Sequence, residues 1–328
     1  MTYQEHDNYQ RNIIKAIGIG GGGIHAVNHM YLQGIEGVTF VVSDTDRHQL
    51  IDSQVPNRVL LRPDMTHRSA TEESESEIAA LFDDDTKMVI IIAGMGGGTG
   101  TWAAPAVARI AREKEVTLTV GIVTIPFQFE GTNKILKALD GIEEIRKYVD
   151  SLFVINNQHL TEMYGDLDRS NAFMKADEAL TTVVRKLCDL ITVKNLICID
   201  FNDVNWTLRK SGSAMFISGY ASGERRVTKA IENALESPLL KDCNIFSAKK
   251  MMMNFYFNPY SESPLLMEEM SEIQEFMANF DQETDVIWGI SYDTTLDNQI
   301  KATVLASGFN VSYKSDIKPL KNMLSQNS

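Results

Sequence analysis

In the first half of the chain, short apolar blocks alternate with stretches of helical periodicity. Residues 13–19 (IIKAIGI) read as a buried strand and run into GGGG at 20–23. The following stretch, IHAVNHMYLQG, sets Ile24, Val27, Met30 and Tyr31 at helical spacing and stops at Gly34. Further strand-like blocks lie at 38–43 (VTFVVS), 87–93 (KMVIIIA), 116–124 (VTLTVGIVT) and 151–156 (SLFVIN). Helical runs separate most of them. Continuous apolar blocks alternating with helices predict βαβ units and a mostly parallel sheet covered on both faces.

From Arg169 to Val193 an amphipathic run aligns Phe173, Ala176, Leu180, Val184, Leu187 and Ile191 along one helical face. Beyond LICIDFNDV (196–204) the character changes. Residues 249–258, 285–293 and 300–309 read as strands, and 265–280 as a helix. The second half is therefore expected to be an α+β domain, followed by a polar, frayed tail.

Composition narrows the function. The chain has 328 residues, enough for two domains, with a formal charge of −13 and a pI near 5.0. That acidity argues against nucleic-acid binding, which needs a basic face. Cys188, Cys198 and Cys243 lie far apart, without a CxxC or Cys/His cluster. A zinc site is not expected, and a reduced, cytosolic setting is. The N-terminal MTYQEHDNYQRN has no signal-peptide core, and no apolar run reaches the roughly 20 residues of a bilayer span, so direct membrane insertion is not expected.

Two glycine-rich segments each follow a strand and precede a helix: GIGGGG (18–23) and GMGGGTGT (94–101). Backbone N–H groups at a helix start attract anions, and glycine lets an anion come close. One such segment reads equally well as a tight turn; two in one parallel sheet argue for a polyphosphate. The first also matches GxGxxG through Gly18, Gly20 and Gly23, with Asp44 at the end of the second strand. An NAD-dependent oxidoreductase is therefore an alternative. That alternative leaves the second segment unexplained and finds no obvious catalytic histidine with an acid partner. Neither segment ends in Gly-Lys-Ser/Thr, which excludes a Walker-type loop. A third cluster, DFNDV, sets Asp200 and Asp203 three residues apart. It reads either as a helix N-cap or as a carboxylate pair that orients a water or helps hold a cation.

Taken in order, IKAIGIGGGGIHAVNHM, AGMGGGTGT, TIPFQFEG (124–131), INN (155–157), NAFMKADEAL (171–180), IDFNDV (199–204) and GYASGERR (219–226) resemble the FtsZ family of the tubulin superfamily, the polymerising GTPases of bacterial division. The resemblance covers Ile13 to Phe309. It implies a tubulin-like α/β fold: a GTP-binding Rossmann-like domain over 1–168, a central helix over 169–193, a C-terminal α+β domain over 194–314 and a short polar tail over 315–328. It also implies roles. Gly20, Gly21, Gly22 and Gly23, with Gly96, Gly97, Gly98, Thr99, Gly100 and Thr101, would cradle the phosphates of GTP or GDP through backbone amides. The two threonine hydroxyls would add donors, and Mg2+ would be held through the phosphates, with no metal site of the protein's own. Asp46 and Lys134 would join the nucleotide site, Glu130 would take the ribose, and Asn157 would touch base or sugar. Phe173 would stack on the guanine, or else be plain core; Asp177 would accept from the guanine N1–H and 2-amine. Asp200 and Asp203 would enter the next subunit's nucleotide site in a head-to-tail filament and polarise the attacking water. The partners implied are further copies of the chain, another FtsZ-like subunit and a membrane-tethering division protein. The location implied is the cytoplasm, at the division site.

Departures from the family pattern gather on the phosphate side. Trp102 replaces the glycine that normally closes the signature loop. Asp44 stands for asparagine in SDTD (43–46), His25 for a base-contacting asparagine, Cys198 for asparagine and Lys134 for arginine. The segment LLRPDMTHRSATEESES (60–76), where the family senses the terminal phosphate with glycines, has none. These changes predict guanine-nucleotide binding with weakened turnover. The alternative is a hydrolysis-deficient structural or regulatory paralogue that binds nucleotide and co-assembles. Trp102 reads either as packing or as narrowing the terminal-phosphate end. DIKPLKNML, near the C-terminus, is weighed as a reduced docking segment.

Overall fold

The computed structural model describes residues 13–62, 72–82, 85–165, 169–192, 195–197, 199–241, 243–278 and 284–311. Contacts divide the chain into two units, 1–192 with 208–212 and 193–207 with 213–328. Cys198 and DIKPLKNML lie outside the described residues.

In the first unit the apolar blocks pair into one parallel sheet. Its strands are β1 (Ile14–Ile19), β2 (Val38–Asp44), β3 (Asn57–Leu60), β4 (Met88–Gly94), β5 (Leu118–Ile125) and β6 (Ser151–Asn156). They lie in the order β3-β2-β1-β4-β5-β6, each parallel to its neighbours. β1, β5 and β6 are buried at every position, and β4 at all but its last. Burial on both faces is why they read as mostly apolar runs. β3 has no such run because it is a short, largely exposed edge strand. The helices are α1 (Gly20–Leu32), α2 (Arg47–Ile51), α3 (Glu72–Ala79), α4 (Thr99–Glu113), α5 (Thr132–Ile145), α6 (Asn157–Tyr164) and α7 (Arg169–Thr192). α7 belongs to this unit and packs on α1, with Ala176, Leu180, Val184, Leu187 and Ile191 buried. From β1 the sheet grows one way through β2 to β3, and the other way through β4 to β6. The C-terminal ends of β1 and β4 therefore flank the point where strand order reverses, and α/β sheets open a crevice there.

The second unit contains β7 (Asn195–Ile197), α8 (Phe201–Leu208), β8 (Gly212–Ala221), α9 (Arg226–Leu235), β9 (Lys250–Phe257), α10 (Glu269–Met277), β10 (Asp285–Tyr292) and β11 (Ile300–Ser307), with boundary residues 208 and 212 grouped in the first unit. Its sheet runs β8-β11-β9-β10-β7 and is antiparallel except between β9 and β10. Val227 and Ile231 of α9 pack against Met251, Met253 and Phe255 of β9 and Val304 of β11. β8 and α9 were not expected from periodicity. β8 contains Gly219, where a Cβ would lie 2.1 Å from the Ala230 carbonyl oxygen of α9, so the glycine lets the helix settle on the strand. The buried Arg226 anchors the other end of this packing. Its guanidinium pairs with Glu269 at 2.6 Å and donates to the carbonyls of Ser263, Pro264 and Asn298.

Candidate functional site

The two glycine segments meet at the switch point. α1 starts at Gly20, so GGGG forms the first helical turn rather than a loop before it. α4 starts at Thr99, directly after Gly98. Neither helix has a side-chain cap: the N-cap residues are Ile19 and Gly98, and neither supplies a side-chain hydrogen bond. The first-turn N–H groups of both helices therefore lack intrahelical partners and cap partners alike. The turns touch, since a Cβ on Gly20 would lie 2.7 Å from the amide nitrogen of Gly100.

The glycines fall into two groups. A Cβ on Gly23 would lie 2.4 Å from the Ile92 carbonyl oxygen, one on Gly100 2.5 Å from that of Gly94, and one on Gly96 2.6 Å from that of Lys134. Gly22 is tight as well, 3.3 Å from the Gly94 Cα. Packing alone demands these residues. Gly21, Gly97 and Gly98 are different: a Cβ would meet nothing within 4 Å, and none has a positive φ. Neither the fold nor the backbone conformation requires glycine at these positions. Open space lies where each of these Cβ atoms would sit.

Several side chains expected at the phosphates are engaged elsewhere. Thr101 is fully buried; its hydroxyl accepts from the Gly96 N–H at 2.9 Å and donates to the Gly97 carbonyl at 2.8 Å. It staples the loop, with its proton given to the Gly97 carbonyl. Asp46 caps α2, accepting from the His48 N–H at 2.9 Å. Thr99 donates to Asp44 at 3.1 Å. Lys134 pairs with Glu130 at 3.3 Å, and the other Glu130 oxygen accepts from the Phe127 N–H at 3.0 Å. Glu130 thus shapes the turn after β5. Trp102 is half-buried in the first turn of α4, and His25 is exposed on α1. α3 packs on α4, where Arg109 forms an ion pair with Glu75; residues 63–71 before it lie outside the described residues.

At the start of α7, Phe173 is 44% exposed although it shares the face of the buried Ala176 and Leu180. Its ring meets Phe127 and Phe129 edge-on, at 5.5 Å and 6.0 Å, and those two stack on each other at 5.0 Å. Phe127 and Phe129 escaped the sequence reading; two aromatics flanking Gln128 just after Pro126 were the available signal. One turn further along α7, burial pushes the Asp177 carboxyl up from 3.8 to about 7. Asn157 is buried, and among the described residues its Oδ1 accepts no hydrogen bond. A desolvated carboxyl and an orphaned amide oxygen are the kind of groups that a polar ligand satisfies.

Asp200 and Asp203 lie in the second unit, at the start of α8. Asp200 Oδ1 accepts from the N–H groups of Asn202 at 2.7 Å and Asp203 at 3.2 Å, while Asp203 Oδ2 accepts from the Asp200 N–H at 2.9 Å. This reciprocal arrangement is a capping box, so the helix-cap reading describes their local structure. Among the described residues no His, Cys, Asp and Glu group could hold a metal ion, and no helix is long and apolar enough to cross a membrane.

Residues 13–165 match the GTPase domain of the Tubulin/FtsZ family, and 212–310 match the FtsZ family C-terminal domain. The chain is 46% identical over 311 residues to the cell division protein FtsZ of Porphyromonas gingivalis, spanning 91% of this chain and 67% of that protein. It is 37% identical to FtsZ of Caulobacter vibrioides, spanning 93% of this chain and 62% of that protein. An FtsZ dimer structure from M. jannaschii superposes with a TM-score of 0.77 at 30% identity, covering 94% of this chain and 93% of that one. The parallel sheet with its paired glycine turns, the C-terminal sheet and these matches agree: the chain belongs to the FtsZ family, the filament-forming cell-division GTPases of the tubulin superfamily.

Proposed function

We propose that the first unit holds GTP with its phosphates on the first turns of α1 and α4 and its guanine against Phe173 and Asp177, and that hydrolysis waits for Asp200 and Asp203 of a neighbouring copy. The observation that carries this reading is the trio Gly21, Gly97 and Gly98, which the fold does not need as glycines. Phosphate oxygens would satisfy the uncapped N–H groups of both turns, aided by the positive helix ends. The exposed Phe173 ring offers a stacking face. The Asp177 carboxylate would accept from the guanine N1–H and 2-amine. Adenine presents an acceptor at N1 and no 2-amine, so the same carboxylate disfavours it. The unsatisfied Asn157 oxygen suits an amine or hydroxyl of base or sugar. Mg2+, held through the phosphates, would supply neutralising charge.

Asp200 and Asp203 would orient the attacking water across a head-to-tail contact, so turnover would require assembly. A mixed filament with another FtsZ-like subunit, a membrane-tethering partner and a cytoplasmic location at the division site belong to the same proposal. A second reading is a paralogue that binds nucleotide and assembles but hydrolyses little. The capping box favours it, because it engages both carboxylates with the chain's own N–H groups.

Phosphate release and light scattering, followed together against protein concentration, test the proposal. Slow turnover that begins with scattering at a threshold concentration is expected. Scattering without phosphate release selects the second reading, and failure to bind any guanine nucleotide refutes both.

A further inference from the structure

At the N-terminal ends of β5 and β6, the opposite ends of these strands from the glycine turns, the first unit holds a cavity of about 460 Å³. Arg112, near the end of α4, lines it together with Arg209 and Lys210 of the 208–212 segment. In a chain of charge −13, three cations around one hollow call for a cause.

The fold does not supply one. Asp150 fastens the segment through backbone groups: its Oδ1 accepts from the Lys210 N–H at 3.2 Å, its Oδ2 from the Thr119 N–H at 2.9 Å, and its carbonyl from the Gly212 N–H at 2.9 Å. The helix ends are closed without the cations as well. The Leu208 carbonyl, the last of α8, accepts from the Ser211 N–H at 3.3 Å and the Ser151 hydroxyl at 2.6 Å. At the end of α4 the N–H groups of Lys114, Glu115 and Val116 reach the carbonyls of Ile110, Arg112 and Ala111. Arg112 gives one N–H to the Lys147 carbonyl at 2.7 Å. The Arg209 and Lys210 side chains have no hydrogen bond or ion pair among the described residues.

The backbone adds a second observation. Among the described residues the non-glycine positions with positive φ are Glu115, Lys210 and Arg225, and the first two, at +57° and +53°, both line this cavity. Each stands two residues past a helix end, Glu113 of α4 and Leu208 of α8, where the left-handed conformation favours glycine. A charged side chain kept there against its conformational cost marks a position held for more than packing.

The lining suits one kind of ligand. Two guanidinium groups and an ammonium favour phosphate, and the Thr117 hydroxyl adds a neutral donor. Val116, Val149 and the Tyr148 side chain contribute an apolar wall, and the volume falls within the roughly 300–1,000 Å³ of sites for small organic molecules. Glu115 opposes the anion and so lowers its affinity. We propose that this cavity is a second ligand site, which takes a small organic phosphate: the phosphate on Arg112, Arg209 and Lys210, the carbon skeleton against Val116 and Val149.

Calorimetric titration of the full chain with glucose 6-phosphate, inorganic phosphate and glucose tests it, with GDP in excess to keep the probes off the glycine turns. Glucose 6-phosphate is expected to saturate with a Kd of about 1 mM or tighter, at least about threefold below that of inorganic phosphate, and glucose to give no binding. Arg209→Gln should weaken glucose 6-phosphate at least about tenfold, and Glu115→Gln should tighten it about two- to threefold. Lys210→Gly removes the cation and the backbone cost together, so Tm should rise while affinity falls about tenfold. Absence of saturable glucose 6-phosphate binding overturns the inference. So does inorganic phosphate or glucose binding as tightly, or parental affinity in Arg209→Gln and Lys210→Gly.

Discussion

Asp177→Asn separates stability from binding. Burial raises the Asp177 carboxyl from 3.8 to about 7. The folded chain therefore holds this proton more tightly than the unfolded chain. The contribution to stability is fully present below pH 3.8 and is lost as pH rises through about 7. The shift, 7 − 3.8 = 3.2, corresponds to about 4 kcal/mol as an upper figure. Asparagine cannot ionise, so the nucleotide-free variant should exceed the parent in stability by a margin that grows from pH 4 to 7 and levels off above. A quarter of the upper figure, about 1 kcal/mol, would still raise Tm by roughly 2–4 °C in a unit of this size. Binding should move the opposite way. In the parent the ionised fraction falls from about 0.9 at pH 8 to about 0.1 at pH 6, which lowers GTP affinity about tenfold. The variant should be insensitive to pH over that range and, having lost two charge-assisted hydrogen bonds, bind GTP about 100-fold more weakly. Thermal unfolding of nucleotide-free protein between pH 5 and 8, beside fluorescent-GTP titration, measures both. A variant no more stable than the parent at pH 8, or one that binds GTP equally well, refutes the reasoning.

Gly97→Ala and Gly98→Ala should change stability by no more than about 0.5 kcal/mol yet weaken GTP binding at least about tenfold, because the added methyl meets nothing in the chain and would enter the space proposed for the phosphates. Gly20→Ala should instead lower Tm, since Gly20 has φ +72° and a Cβ there strikes the Gly100 nitrogen. Asp200→Asn keeps an N-cap acceptor and should leave Tm within about 1 °C while abolishing phosphate release; Asp200→Ala should lose release and about 1 kcal/mol of stability as well. Arg226→Leu strands Glu269 and should destabilise the second unit by about 3–5 kcal/mol in urea unfolding.

Much of the fold is written in local pattern. The blocks that became β1, β2, β4, β5 and β6 were legible because strands largely buried on both faces are mostly apolar, and α7 because a 24-residue helix repeats its apolar face many times. β3, β8 and α9 carry weaker local signals: an exposed edge, a glycine answering a helix, and a helix whose buried arginine is satisfied by distant carbonyls. The site divides along the same line. Residue types and order named the family and pointed to Phe173, Asp177 and the glycine turns. Only the tertiary structure separated Gly21, Gly97 and Gly98 from the packing glycines, turned Thr101 into a staple, gave Asp46 to a helix cap, and fastened Asp44 to Thr99 across 55 residues. The reason is physical. Periodicity and turn chemistry act between sequence neighbours, whereas a hydrogen-bond partner or a clashing atom is chosen by which distant segments the folded sheet brings within a few ångströms.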